Sequence, residues 1–291
     1  MVRYSIVSAF TDTPGMGNAA GVVLEAQDLR APEMQAVAAQ LGLSETVFVT
    51  RRDLDVVRVR YFTPTQEIEF CGHATVAVGL CLACQGWFPD HGLRLETLAG
   101  DVPLSLEEKD GVPKRVWMIQ PELRTREISP DQRERLAEAL GISERMLHRT
   151  LPLASAYTGL WTAFVPLIDP TVVDALEPDY AEITRLSQEL EVSGLHPYAP
   201  MGPSVMYTRD FAPLVGIDED PVTGSASGAL IGLLAERGLL RRNGNRVNAT
   251  CLQGHAIGQP GEVAVEVRLE PGRRPQVRVG GCAAVESEGR L

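Results

Sequence analysis

The chain has 291 residues, enough for a large core and more naturally two domains than one. Its formal net charge of -11 argues against nucleic acid or an anionic membrane as partner, because either would call for a surplus of Lys and Arg. No apolar run approaches the roughly 18 residues that span a bilayer. The opening MVRYSIVSAF lacks the features of a signal peptide, so the expected setting is the cytoplasm, away from membrane.

Short runs rich in Val, Ile, Tyr and Phe open the chain and predict strands at RYSIVSAF (3 to 10) and AGVVLE (20 to 25). A helix is predicted over 32 to 41, where Pro32 suits a first helical position, Glu33 follows it and Gly42 marks the stop. Strands are predicted next at TVFVT (46 to 50) and VVRVRYF (56 to 62), and then comes a helical stretch, 74 to 84, that lacks a polar face. After RVWMIQ (115 to 120), SPDQRERLAEALG (129 to 141) predicts a connecting helix with Ser129 as N-cap, Pro130 next and Gly141 as terminator. TAFVPLI, SVMYT, VAVEVRL and QVRVGG predict further strands, and 226 to 235 predicts a second helix without a polar face. An all-apolar helix must be surrounded, and in strand-rich surroundings the simplest enclosure is a sheet curled around it.

The two apolar helices are related. Shifting the chain by 152 positions sets CGHATVAVGLCLACQG (71 to 86) on TGSASGALIGLLAERG (223 to 238), with identities at Gly72/Gly224, Ala74/Ala226, Ala77/Ala229, Leu82/Leu234, Ala83/Ala235 and Gly86/Gly238. Upstream, APEMQAVAAQLGLS (31 to 44) echoes EPDYAEITRLSQELEVS (177 to 193) in the same order, which favours a duplication over chance. The expected fold is therefore α+β, with two pseudo-symmetric domains, each a curled mixed β-sheet wrapped around a central buried α-helix. The first half spans 1–124, completed by a last strand near 277–288, and the second spans 125–291, with a cleft between them.

The five cysteines (Cys71, Cys81, Cys84, Cys251 and Cys282) are odd in number and scattered, which does not suit a disulfide framework. Cys81 and Cys84 form a CxxC that no second pair completes into a zinc site, so both are expected to be core residues of a helix. The helix starts CGHA and TGSA are candidate anion-binding edges, because the first backbone N–H groups of a helix have no intrahelical partner and sit at the positive end of its dipole. A tight strand-to-helix turn would explain either glycine alone. His73 at such an end is expected to be a neutral imidazole able to relay a proton, although a satisfied structural histidine fits the same position. Asp220 precedes Pro221 and so stays extended; as an Asp near a helix start it also reads as a cap. Glu45 opens a strand after a helix, and composition alone leaves it a surface charge.

GNAAGVVLEA (17 to 26), LSETVFV (43 to 49), RYFTPTQEIEFCGHATVAVG (60 to 79) and DPVTGSASGAL (220 to 230) resemble the motifs of the phenazine-biosynthesis PhzF-like proteins, relatives of diaminopimelate epimerase. The likeness spans both halves in the family's order. It implies a cofactor-free isomerase that needs no metal, acts on a small carboxylate, assembles as a homodimer and has a diaminopimelate epimerase-like fold. By motif, Glu45 becomes the general acid/base that moves a proton between carbons, while His73, Asp220 and Ser225 hold the substrate and assist proton movement. Gly72, Gly224 and Ala226 would hold its carboxylate through the backbone, with Asn18 and Thr223 as further substrate-binding positions. Family members often carry His after GSA; here Ser227 stands there, which bears on substrate preference.

The epimerase relatives use two opposed cysteines, whereas Cys71 has Thr223 as its repeat partner, and a hydroxyl is far too weak an acid to replace a thiol. One carboxylic acid shuttling a proton fits better, provided burial raises Glu45 toward neutrality. Two alternatives stand beside this reading: an amino-acid epimerase or racemase, and a non-catalytic protein that binds small carboxylates or serves as a scaffold.

Overall fold

The computed structural model describes residues 1–291. The chain forms two compact units, Met1–Ile119 with Gly280–Leu291, and Gln120–Val279.

The first unit holds β1 (Arg3–Ala9), β2 (Asn18–Val23), α1 (Ala31–Leu41), β3 (Glu45–Arg52), β4 (Val56–Phe62), the two-residue β5 (Glu67–Ile68), α2 (Gly72–Cys84), β6 (Leu93–Thr97), β7 (Gly100–Lys109) and β8 (Val112–Ile119), with β17 (Ala283–Arg290) returning from the far end of the chain. β17 pairs antiparallel with β1, and β1 antiparallel with β2. Pairing then runs β2 to β3 parallel, β3 to β4 antiparallel, β4 to β6 parallel, and β6 to β7 to β8 antiparallel. α2 touches β17, β1, β2 and β3 near one end of this order and β8 at the other, so the sheet curls around it. Ala74 through Leu82 of α2 are all buried, as expected of a helix with no polar face.

α1 lies on the other side of the sheet, where Met34, Val37 and Ala38 pack with Phe48 and Phe62. The pleat divides β3 between the two layers, because alternate side chains point to opposite faces. Gly42 closes α1 in the left-handed conformation, at φ 66°, where a Cβ would be strained. That turn delivers the chain into β3 at Glu45.

The second unit holds β9 (Arg124–Glu127), α3 (Arg133–Ala139), β10 (Ala154–Tyr157), β11 (Trp161–Pro166), α4 (Pro170–Asp174), α5 (Tyr180–Leu190), β12 (Leu195–Gly202), β13 (Val205–Thr208), α6 (Gly224–Glu236), β14 (Arg246–Gln253), β15 (Gly261–Arg268) and β16 (Gln276–Gly281), the last two residues of which belong to the first unit. After β9 pairs antiparallel with β10, the ladder runs β10 to β11 antiparallel, β11 to β12 parallel, β12 to β13 antiparallel, β13 to β14 parallel and β14 to β15 antiparallel. The same succession of antiparallel and parallel pairs runs from β1 to β7, with α1 and α5 at one parallel crossover and α2 and α6 at the other. α1 and α5 each have 11 residues and α2 and α6 each have 13. The duplication read from the sequence is thus repeated in topology.

α6 is enclosed like α2, touching β10, β11, β14 and β15. A Cβ on Gly228 would sit 2.9 Å from Val279 Cγ1 and 3.3 Å from Thr158 Oγ1, so this helix position is closed to larger residues. Gly228→Val should cost about 1–3 kcal/mol through overpacking. Urea unfolding checks this, and an unchanged midpoint would mean that the sheet has room around the helix.

Two sequence expectations are corrected here. The stretch from 129 to 141 opens as a 3-10 turn, Pro130–Gln132, with Ser129 at its N-cap, and continues as α3; the Ser129 hydroxyl donates to Asp131 and makes no capping bond. Cys81 is buried but Cys84, the last residue of α2, is exposed; burial along the helix ends at Leu82.

Candidate active site

In the first unit, α2 and β3 bring three side chains together. Cys71 is the N-cap of α2, His73 lies in its first turn and Glu45 is the first residue of β3. His73 Nε2 is 3.2 Å from Glu45 Oε2, and Cys71 Sγ is 3.4 Å from His73 Nδ1. Gly72 links the two helix-borne members. The helix start is held from below: Thr75 Oγ1 donates to the Cys71 carbonyl at 2.7 Å, and Tyr61, fully buried, lies 2.7 Å from the same Thr75 oxygen. Since Thr75 spends its proton on Cys71, the Tyr61 hydroxyl must donate to Thr75.

Glu45 pairs in register with Ala20, and Asn18 lies two residues earlier on β2, so the pleat puts Asn18 and Glu45 on one face. Asn18 is buried, with 4% exposure.

The electrostatics differ from the sequence expectation. Burial favours the protonated form of Glu45, yet the contact with His73, helped by Ser44 and Cys71, outweighs it and holds the acid below the ordinary glutamate value. Burial likewise opposes charge on His73, but Cys71 and Glu45 raise it well above the ordinary histidine value. Burial pushes the Cys71 thiol up. Glu45 and His73 thus face one another as carboxylate and imidazolium. The helix dipole favours a neutral imidazole, but Cys71 and the Glu45 carboxylate beside it are the stronger influence. Oε2 of Glu45 is buried, and His73 Nε2 lies beside it at 3.2 Å. Glu45 thus reaches a proton from the side of a charged partner that can follow its change of charge.

In the second unit the turn before α6 gathers Asp220, Thr223, Gly224, Ser225 and Ala226. Thr223 is the N-cap of α6, the position that Cys71 has on α2. The Thr223 hydroxyl donates to the Asp220 carboxylate and makes no cap bond, so the N–H groups of the first helical turn are not served by the usual side-chain acceptor. Ser225 is fixed through its carbonyl, which accepts from Thr158 Oγ1 at 2.9 Å. Ser227 is fully buried, and its hydroxyl has no hydrogen-bond partner.

Sequence reasoning missed Gln253, which is 1% exposed. Its Oε1 accepts from Thr223 N at 3.1 Å, while Nε2 donates to the Asp220 carbonyl at 2.8 Å and to Thr223 Oγ1 at 3.1 Å. One amide thereby locks the turn that carries Asp220 into the start of α6. No local pattern at QGHAIG marks it; only the end of β14 places it there. Gln253→Leu should cost about 1–3 kcal/mol, because it leaves a buried N–H unsatisfied, and should raise KM for the substrate. Denaturant unfolding and steady-state kinetics test the two halves separately; wild-type values for both would make the amide a bystander.

A strand-rich fold written twice, each half curled around an apolar helix, is the diaminopimelate epimerase-like fold. The chain matches the family model of the phenazine biosynthesis-like proteins over residues 7–289 and belongs to that family. It is 55% identical to an uncharacterised isomerase of Deinococcus radiodurans over 99% of this chain and 94% of the relative. It is 33% identical to the trans-2,3-dihydro-3-hydroxyanthranilate isomerase of Pseudomonas aeruginosa over 100% and 99% of the two chains. Among solved structures, a phenazine biosynthesis protein of the PhzF family from Bacillus anthracis superposes with a TM-score of 0.90 at 30% identity, covering 100% of this chain and 98% of the other. A hydroxyproline epimerase from Agrobacterium vitis shares the fold at a TM-score of 0.63 and 14% identity, covering 99% and 91%.

Proposed function

We propose that this isomerase moves one proton between carbons of a small, unsaturated carboxylate by general acid/base catalysis, with no metal or coenzyme. The observation that carries the reading is the buried pairing of Glu45 with His73, Oε2 to Nε2 at 3.2 Å. Glu45 as carboxylate takes the proton from carbon, and as acid it returns the proton to a second carbon. His73, positively charged, steadies the carboxylate before transfer and the negative charge that develops on the substrate as the C–H bond breaks.

In the second unit, the N–H groups of Gly224, Ser225 and Ala226 at the positive end of α6 offer an edge for a substrate carboxylate, with Asp220, Thr223 and Ser225 available to its polar substituents. In the first unit, Gly72 offers the corresponding edge on α2, and Asn18 shares a face with Glu45. A two-thiol epimerase is disfavoured because the N-cap corresponding to Cys71 is Thr223, a hydroxyl engaged with Asp220. The resemblance supports a homodimer in the cytoplasm, and no helix is long and apolar enough to cross a membrane.

The test is a panel of cyclic and amino-substituted carboxylates, including trans-2,3-dihydro-3-hydroxyanthranilate, followed by proton NMR. A shifted double bond supports the proposal. Inverted configuration without a shift would favour the epimerase, and bound but unaltered ligand the binding protein.

A further inference from the structure

Glu45, Cys71 and His73 each offer one ligand atom, and these atoms all lie within 4.8 Å of one another. Proton transfer as described uses the carboxylate and the imidazole but not the thiol, which is nevertheless held beside them with 7% exposure. Thiol, imidazole and carboxylate together form a donor set suited to zinc; magnesium and calcium prefer oxygen alone. A tetrahedral zinc ion, with bonds of about 2.0 Å to N and O and about 2.3 Å to S, spaces its ligand atoms about 3.3–3.5 Å apart. His73 Nε2 lies 3.2 Å from Glu45 Oε2 and 3.8 Å from Cys71 Sγ, so closure needs side-chain rotation rather than backbone movement. On ligation Glu45 Oε2 and His73 Nε2 would exchange their direct contact, 3.2 Å, for a shared ion. The helix bearing two of the ligands is enclosed along its body, which fixes the site before any ion arrives.

We propose that Glu45, Cys71 and His73 form a zinc-binding site whose occupation inhibits the enzyme by tying up the acid/base carboxylate. Three protein ligands leave a fourth position for water. The inhibitory part rests on Glu45 being the acid/base; the binding part does not.

The experiment is titration of the full-length, tag-free, reduced protein with Zn²⁺ in competition with a chromophoric chelator, repeated with Co²⁺ to record the thiolate charge-transfer band. One equivalent should bind, with that band present. Loss of an outer-shell partner alone weakens a metal site about 10–100-fold, so Cys71→Ala and His73→Gln should each weaken binding by at least about 100-fold and remove the site from the titration. Glu45→Gln, nearly isosteric, provides the same test should Cys71→Ala not fold. Cys84→Ala, which alters the exposed cysteine at the other end of α2, should bind as wild type. No stoichiometric uptake, or uptake that survives these ligand substitutions or disappears with Cys84, would overturn the site. Binding that leaves turnover unchanged would overturn the inhibitory half and count against Glu45 as the acid/base.

Discussion

Glu45→Gln should lower kcat by about 10²–10⁴ while leaving KM and the unfolding midpoint near wild type. The amide keeps the size and shape of the side chain, so β3 and the floor under α2 are undisturbed. It cannot cycle between acid and carboxylate, and that cycle is the whole of the proposed chemistry. It also removes the second of the two groups, Cys71 and Glu45, that raise His73, so the substrate's developing negative charge loses support as well. A near-constant KM would separate this from a binding defect. A variant with wild-type kcat on an established substrate would return Glu45 to the surface charge that composition alone suggests.

The largest loss of stability should follow Arg209→Met, at about 3–5 kcal/mol. Arg209 follows β13 and is nearly enclosed: its Nε and Nη2 donate to the two Glu219 oxygens at 2.8 and 2.7 Å, and both side chains are 8% exposed. Nη1 also reaches the carbonyls of Val173 and Leu176 at 3.3 and 3.1 Å, and the guanidinium lies over the Phe211 ring. Removing Arg209 strands the Glu219 charge in the interior, and this penalty exceeds what the pair contributes when intact. Glu219 immediately precedes Asp220, so the same change should loosen the turn entering α6. Urea unfolding gives the stability, and Arg209→Met combined with Glu219→Leu should recover much of the loss. If the double variant is as unstable as the single, packing of the Arg209 stem and not the stranded charge is responsible.

Much of the architecture is legible because local signals coincide with tertiary demand. Pro32, Glu33 and Gly42 frame α1, and the absence of any polar face on α2 and α6 already requires the curled sheets that enclose them. Hidden strands are those whose residues answer to position in the sheet. β9, RTRE, is exposed at every residue, and β17 carries mostly half-exposed or exposed charged and small residues, so neither shows an apolar alternation. β12 contains Pro197 and Pro200, which read as breaks, yet it pairs in parallel with β11 and through an irregular register with β13.

Within the site, the motif residues Glu45 and His73 meet in space, as do Asp220 and Thr223. Their electrostatics were not legible. The sequence shows that His73 sits at a helix start but not that a carboxylate 3.2 Å away would reverse the dipole's preference. Gln253 is hidden for a related reason: it lies 30 residues from Thr223 along the chain and meets it only because β14 ends beside the turn.

Deuterium incorporation during turnover in heavy water tests the central claim most directly. One carboxylate that moves a proton between two carbons, and is open to solvent between turnovers, should place at most one deuterium in the product, at the carbon that gains the proton. Glu45→Gln should abolish its appearance. Product formed in heavy water at an undiminished rate by Glu45→Gln, with the same label at the same carbon, would contradict the account, because some other group would then be carrying the proton.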